Sequence, residues 1–134
     1  TKQEVKDEMR QSEGDQMVKA RIRSIMRNRL RKLMLKNVPK ADVVITNPTH
    51  FAVALRYKSG IDNAPKVVAK GVDYLALKIK TIALENDVPV VEEPPLARHL
   101  YFTCEIDQEI PEQLFKAVAQ ILAYIYHLKQ KTPF

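Results

Sequence analysis

The chain has 134 residues, 46% of them hydrophobic, which is enough for one modest core and an appendage but not for two independent cores. Its net charge of +6 is lopsided, because residues 1–40 hold 12 Lys or Arg against 5 Asp or Glu while residues 41–134 hold 10 against 11. The single Cys104 excludes an internal disulfide framework, the three histidines are scattered without metal-ligand spacing, and no apolar run reaches the roughly 18 residues needed to cross a bilayer. No metal and no cofactor is expected.

The first 14 residues are polar, and Gly14 interrupts any helix, so this stretch is predicted to fray or stay disordered. From Asp15 onward Val18, Ile22, Ile25, Met26 and Leu33 recur at helical spacing, with Arg21, Arg23, Arg27, Arg31 and Lys32 on the other faces. The spacing predicts a long basic amphipathic helix that stops near Asn37 to Pro39. Residues 1–40 thus read as a helical linker arm and residues 41–134 as a globular domain. The chain opens in the middle of a charged pattern, with no initiator Met and no signal peptide, as expected of a piece of something longer and soluble. An acidic membrane surface is one expected contact for the arm, since each basic residue near anionic lipid adds about 1 kcal/mol of attraction; a plain solvated linker is another. No nucleic acid is expected, because residues 1–40 contain no aromatic side chain for base stacking and no binding motif.

Asp42 to Thr46 reads as a short buried strand, and Phe51, Val53, Leu55 and Tyr57 alternate with Ala52, Ala54 and Arg56 as a second. Ser59-Gly60 and Asp62-Asn63 mark a loop. Lys66 to Ala69 is a third strand, Val72 to Asn86 a helix carrying Leu75, Ile79, Ile82 and Ala83, and Val88 to Val91 a fourth strand. Pro94 and Pro95 open a short helix through Phe102, Pro being suited to a first helical turn. Pro111 opens the last helix, with Leu114, Val118, Ile121, Leu122, Ile125 and Leu128 as its apolar stripe and Glu112 near its positive end. Strands interleaved with helices predict an α/β fold, a small sheet of about four strands surrounded by about four helices.

Asn47-Pro48-Thr49-His50 lies between the first two strands. In ordinary asparagine ageing the next residue's backbone nitrogen attacks the side-chain carbonyl, a route that Pro48 closes because its nitrogen carries no hydrogen. What remains is attack by the Asn47 side-chain nitrogen on its own main-chain carbonyl, which expels the Pro48 nitrogen and cuts the chain. This is slow in a relaxed peptide, so a tight turn must bring the groups together. His50 or the Thr49 hydroxyl is placed to assist in removing a proton. Asn-Pro is also an ordinary turn initiator, and on these four residues alone both readings stand.

Around the tetrapeptide, Phe51-Ala-Val-Ala-Leu-Arg-Tyr57, Ala64-Pro-Lys-Val-Val-Ala-Lys-Gly71, Val88-Pro89, Pro94-Pro-Leu-Ala-Arg98, Leu100-Tyr101 and Ile110-Pro111 come in order, after Gln3-Glu-Val-Lys-Asp-Glu8 and Glu13-Gly-Asp15. Over nearly its whole length the chain resembles the cytoplasmic domain of the FlhB family of flagellar export-gate proteins. The resemblance implies that four membrane-spanning helices precede this region, that the domain faces the cytoplasm at the bacterial inner membrane, and that it cuts itself once between Asn47 and Pro48 rather than turning over as an enzyme. It further implies a switch of export from rod and hook parts to filament parts, with export substrates, the hook-length control protein and gate components such as FlhA as partners. Virulence type III export-gate proteins share the tetrapeptide and the Pro-Leu-Ala-Arg segment, but their second strand and the stretch after it usually read differently. A basic nucleic-acid module is the remaining, different alternative.

In the same family an apolar patch at positions matching Ala64, Pro65, Ala119 and Leu122 is thought to receive a hydrophobic signal from early substrates. Ala64 and Pro65 are expected to be exposed, whereas Ala119 and Leu122 are equally open to a plain packing role. Cys104 is expected to be a buried small hydrophobe. Lys70-Gly71 at a strand-to-helix junction lacks the further glycines of a phosphate loop, and a structural role is expected.

Overall fold

Val43, Val44 and Ile45 are three apolar residues in a row, so a strand containing them must bury both of its faces. The computed structural model, which describes residues 1–48 and 50–131, satisfies this with a four-stranded mixed sheet of order β3-β2-β1-β4. Strand β1 (Val43–Asn47) pairs antiparallel with β2 (Phe51–Arg56), and β2 pairs antiparallel with β3 (Lys66–Val72). The edge strand β4 (Val90–Glu92) runs parallel to β1. Strand β1 is therefore interior, with a hydrogen-bonded neighbour on each side.

Four helices complete the element set: α1 (Lys2–Asn37), α2 (Asp73–Glu85), α3 (Pro94–Thr103) and α4 (Phe115–Lys131), with short 3-10 turns at Val38–Lys40 and Glu112–Leu114. On one face of the sheet Val43, Ile45, Val53, Leu55 and Val67 meet Ala97, Leu100 and Cys104, with Leu114 from the second 3-10 turn and Val118 and Ile125 from α4. On the other face Val44, Ala52, Ala54, Val68 and Ala69 meet Ala76, Ile79 and Ala83 of α2, together with Met34 and Val38. The small alanines of β2 and β3 let α2 lie close. Cys104 is buried, as its apolar surroundings require.

The chain divides into two compact units, Thr1–Leu33 and Met34–Phe134. Met34 and Val38 are buried in the second unit's core, so the last turn of α1 belongs with the sheet. The first unit is helical throughout, from Lys2 across Gly14, where fraying was the expectation. Gly14 costs about 1 kcal/mol relative to Ala, but the Lys, Gln, Glu and Met residues around it favour helix. The Glu4 amide donates to the Thr1 hydroxyl at 3.3 Å. In that unit Val18, Ile22, Ile25, Met26 and Leu33 are all exposed. No described helix is long and apolar enough to cross a membrane.

Strand β3 runs three residues beyond its expected end, to Val72, because Ala52 and Phe51 pair with Gly71 and Val72. Gly71 owes its place to packing, since a Cβ there would stand 2.6 Å from Leu75 Cγ. The Lys70 ammonium donates to the carbonyls of Tyr101 and Cys104, each at 2.9 Å, and sits 4.8 Å from the Tyr101 ring centre. It anchors the end of α3 to the sheet, in agreement with a structural role for this pair.

Candidate functional site

Asn47 is the last residue of β1 and pairs with Phe51, so Pro48, Thr49 and His50 make the whole connection between β1 and β2. Thr49 lies outside the described residues. The His50 amide donates to the Asn47 main-chain oxygen at 3.0 Å, which closes the turn across the Asn47-Pro48 bond. Carbonyls on either side are fixed too: the Glu93 amide donates to Thr46 O and the Asp73 amide to His50 O, both at 3.0 Å. Asn47 and Pro48 are half-buried and His50 is exposed.

Aromatic packing pins the strand immediately after the turn. Phe51 lies 5.1 Å from Tyr101 and 5.5 Å from Phe102, and Tyr101 meets Phe102 edge-on at 5.2 Å. Such pairs contribute about 0.5 to 1.5 kcal/mol each beyond their burial. Each flank of the turn carries a recess. One of about 340 Å³ is lined by Asn47, Pro48, Tyr74, Leu77 and Lys80. The other, of about 520 Å³, is lined by Asn47, His50, Asp73, Arg98, Tyr101 and Phe102.

Three of the four tetrapeptide positions are thus brought together with groups that sequence reasoning did not single out. Asp73 borders both recesses, and its Oδ1 stands 4.0 Å from His50 Nδ1. Nothing in the spacing of residues 47–50 points to a partner more than twenty positions on. Arg98 was within reach, as the last residue of the Pro-Leu-Ala-Arg segment.

The second set of positions is not gathered in the same way. Ala64 is 2% exposed, contrary to the expected exposure. Its loop closes on itself, with the Lys58 amide held by Asp62 at 2.9 Å, and Ala64 enters β3 already inside the fold. Pro65 is half-buried, its carbonyl accepting from the Ile110 amide at 2.9 Å. Ala119 is exposed and Leu122 half-buried. Leu122 lines a recess of about 520 Å³ with Asp42, Tyr57, Ile125 and Tyr126, and the other three positions do not border it. Among the described residues no cluster of His, Cys, Asp or Glu could hold a metal ion.

The turn, the sheet and their sequence have known counterparts. The model of the FlhB HrpN YscU SpaS family matches residues 1–125, so the chain belongs to that family of export-apparatus proteins. The flagellar biosynthetic protein FlhB of Bacillus subtilis is 55% identical over 131 residues, 98% of this chain and 36% of the relative. FlhB of Escherichia coli is 52% identical over 130 residues, 97% of this chain and 34% of the relative. The chain therefore spans about a third of the length of these relatives. The crystal structure of the cytoplasmic domain of FlhB from Shewanella putrefaciens matches with a TM-score of 0.72 and 45% identity, covering 78% of this chain and 84% of that one. A mutated EscU C-terminal domain matches with a TM-score of 0.66 and 39% identity, covering 69% and 92%.

Proposed function

We propose that this chain is the self-cleaving switch domain of a flagellar protein export gate, cutting itself once between Asn47 and Pro48. The observation that carries the reading is the turn itself. The carbonyl that must be attacked accepts a hydrogen bond from the His50 amide at 3.0 Å, on the oxygen where negative charge would develop. Asn47 Nδ2 attacks the Asn47 carbonyl carbon after losing a proton, the bond to the Pro48 nitrogen breaks, and that nitrogen leaves with a proton as a secondary amine. Asn47 is left as a C-terminal succinimide, which water opens. His50 assists the proton transfer, and the event is stoichiometric rather than a turnover reaction.

The cut need not disperse the domain. Strand β1 is paired on both sides, and Val43, Val44 and Ile45 are fully buried. Each such side chain contributes about 1.5 to 3 kcal/mol, so the two pieces stay together while the turn is freed to move. That local release is the switch, from rod and hook subunits to filament subunits. It works at the cytoplasmic face of the inner membrane together with export substrates, the hook-length control protein and gate components such as FlhA. Among the solved structures, identity is 45% to the FlhB cytoplasmic domain over 78% of this chain against 39% to the EscU domain over 69%, which favours this over the virulence branch. Leu122 and its recess are a docking place for substrates, and anionic lipid is a partner for the basic residues of the first unit.

Denaturing electrophoresis with intact mass tests the reading. Two fragments split after Asn47, co-eluting under native conditions and forming faster as pH rises, are the expected result. A folded chain that stays whole, or a rate flat from mildly acid to alkaline pH, would overturn the mechanism.

A further inference from the structure

Asp73 has a backbone φ of +48°, in the left-handed region that glycine occupies freely and other residues occupy at a cost. It stands at the sharp change from β3 to α2, where a glycine would make the same bend without strain. The chain instead places a carboxylate there, and strain of this kind is kept where the surrounding structure uses it. Two contacts show what it touches. Its amide donates to the His50 carbonyl at 3.0 Å, and its carboxylate lies 4.0 Å from His50 Nδ1, with the two side chains 79% and 66% exposed. The recess that holds both side chains also contains Asn47 and Arg98.

Resting on the self-cleavage reading, we infer that Asp73 is a positioning residue for scission: its carboxylate accepts from His50 Nδ1–H, holding the ring beside the turn with Nε2 free to take a proton. The backbone contact serves the same end, because the Asp73 amide fixes the peptide from which the His50 side chain departs. Arg98 borders the same recess from α3.

The test is a double-substitution cycle on cleavage rate, monitored by intact mass on the full chain. Asp73→Gly removes the carboxylate and relieves the backbone, so the protein should melt no lower than the parent. Cleavage should slow by about tenfold, a part of the 10²- to 10⁴-fold that general acid-base assistance supplies. In a His50→Ala background the same substitution should change the rate less than about twofold, because coupled residues are not additive. A second readout uses the Asn47→Ala chain labelled with ¹⁵N-histidine. There His50 should show the Nδ1–H tautomer and revert toward Nε2–H when Asp73→Gly is added. Equal slowing by Asp73→Gly in both backgrounds, an unchanged rate, or an unchanged tautomer would overturn the inference. A parent chain that never cleaves would instead sink the self-cleavage reading, and the tautomer measurement would still report on the pairing of Asp73 with His50.

Discussion

Two connections join neighbouring antiparallel strands in the sheet, and they are built on opposite plans. The loop from Tyr57 to Pro65, between β2 and β3, is closed by a buried side chain added to backbone bonds, the Asp62 amide donating to Lys58 O at 2.8 Å. Asp62 accepts from the Lys58 amide at 2.9 Å and lies 3.5 Å from Arg56, with its own side chain only 4% exposed. In the turn at residues 48–50, between β1 and β2, the His50 amide donates to Asn47 O, and the turn is flanked by two recesses. A carboxylate that has found its partners holds a loop shut. The Asn47 carboxamide, in contrast, borders open recesses next to a fixed carbonyl, the setting in which the proposed reaction would run.

The largest expected effect separates the two directly. Asn47→Ala removes the side chain proposed to attack, and cleavage should cease while urea midpoints stay close to the parent's. Next, His50→Ala should slow cleavage by at least about tenfold, within the usual reach of a general base. Since His50 is exposed, this change should move stability by no more than about 0.5 kcal/mol. Lys70→Met should do the reverse. It leaves the Tyr101 and Cys104 carbonyls without their ammonium donor, a loss of about 1 to 3 kcal/mol in denaturant unfolding. The turn's chemistry should be little altered.

The smallest effect belongs to the loop. The Lys58 amide holds the Asp62 carboxyl below its ordinary value, burial works against this, and Arg56, Lys66 and Lys58 add to the lowering. The folded state thus takes up this proton less readily than the unfolded chain does. Its contribution is present above the ordinary carboxylate range and is lost as pH falls through the lowered folded value. Asp62→Asn should flatten that acid limb in urea midpoints compared between pH 7 and pH 3, leaving the cleavage rate near pH 7 unchanged. Should Asp62→Asn alter cleavage as much as His50→Ala does, the contrast between the two connections would fail.

The sheet was legible in sequence where its periodicity is strong. Val43 to Ile45 and the alternation from Phe51 to Tyr57 mark strands whose faces both carry apolar residues, and the helices at residues 73–85 and 115–131 announce themselves by spacing. The parallel pairing of β4 with β1 was not legible, because Val44 meets Val90 across a helix and two strands. Ala64 looked like a surface residue because nothing local shows that Asp62 closes its loop. The helix through Gly14 was underestimated by weighing one glycine above its helix-favouring neighbours. Asn47, Pro48 and His50 stand out in the sequence by their bond chemistry. Asp73 does not, since left-handed backbone at a non-glycine residue leaves no mark in composition or period.

The most direct test tracks the intact mass of freshly purified, folded protein through incubation at alkaline pH. The parent mass should give way to two masses, one ending at Asn47 and one beginning at Pro48, whose sum exceeds the parent by one water once the succinimide has opened. A single unchanged mass in protein that still unfolds cooperatively, or scission at any other bond, would contradict the account.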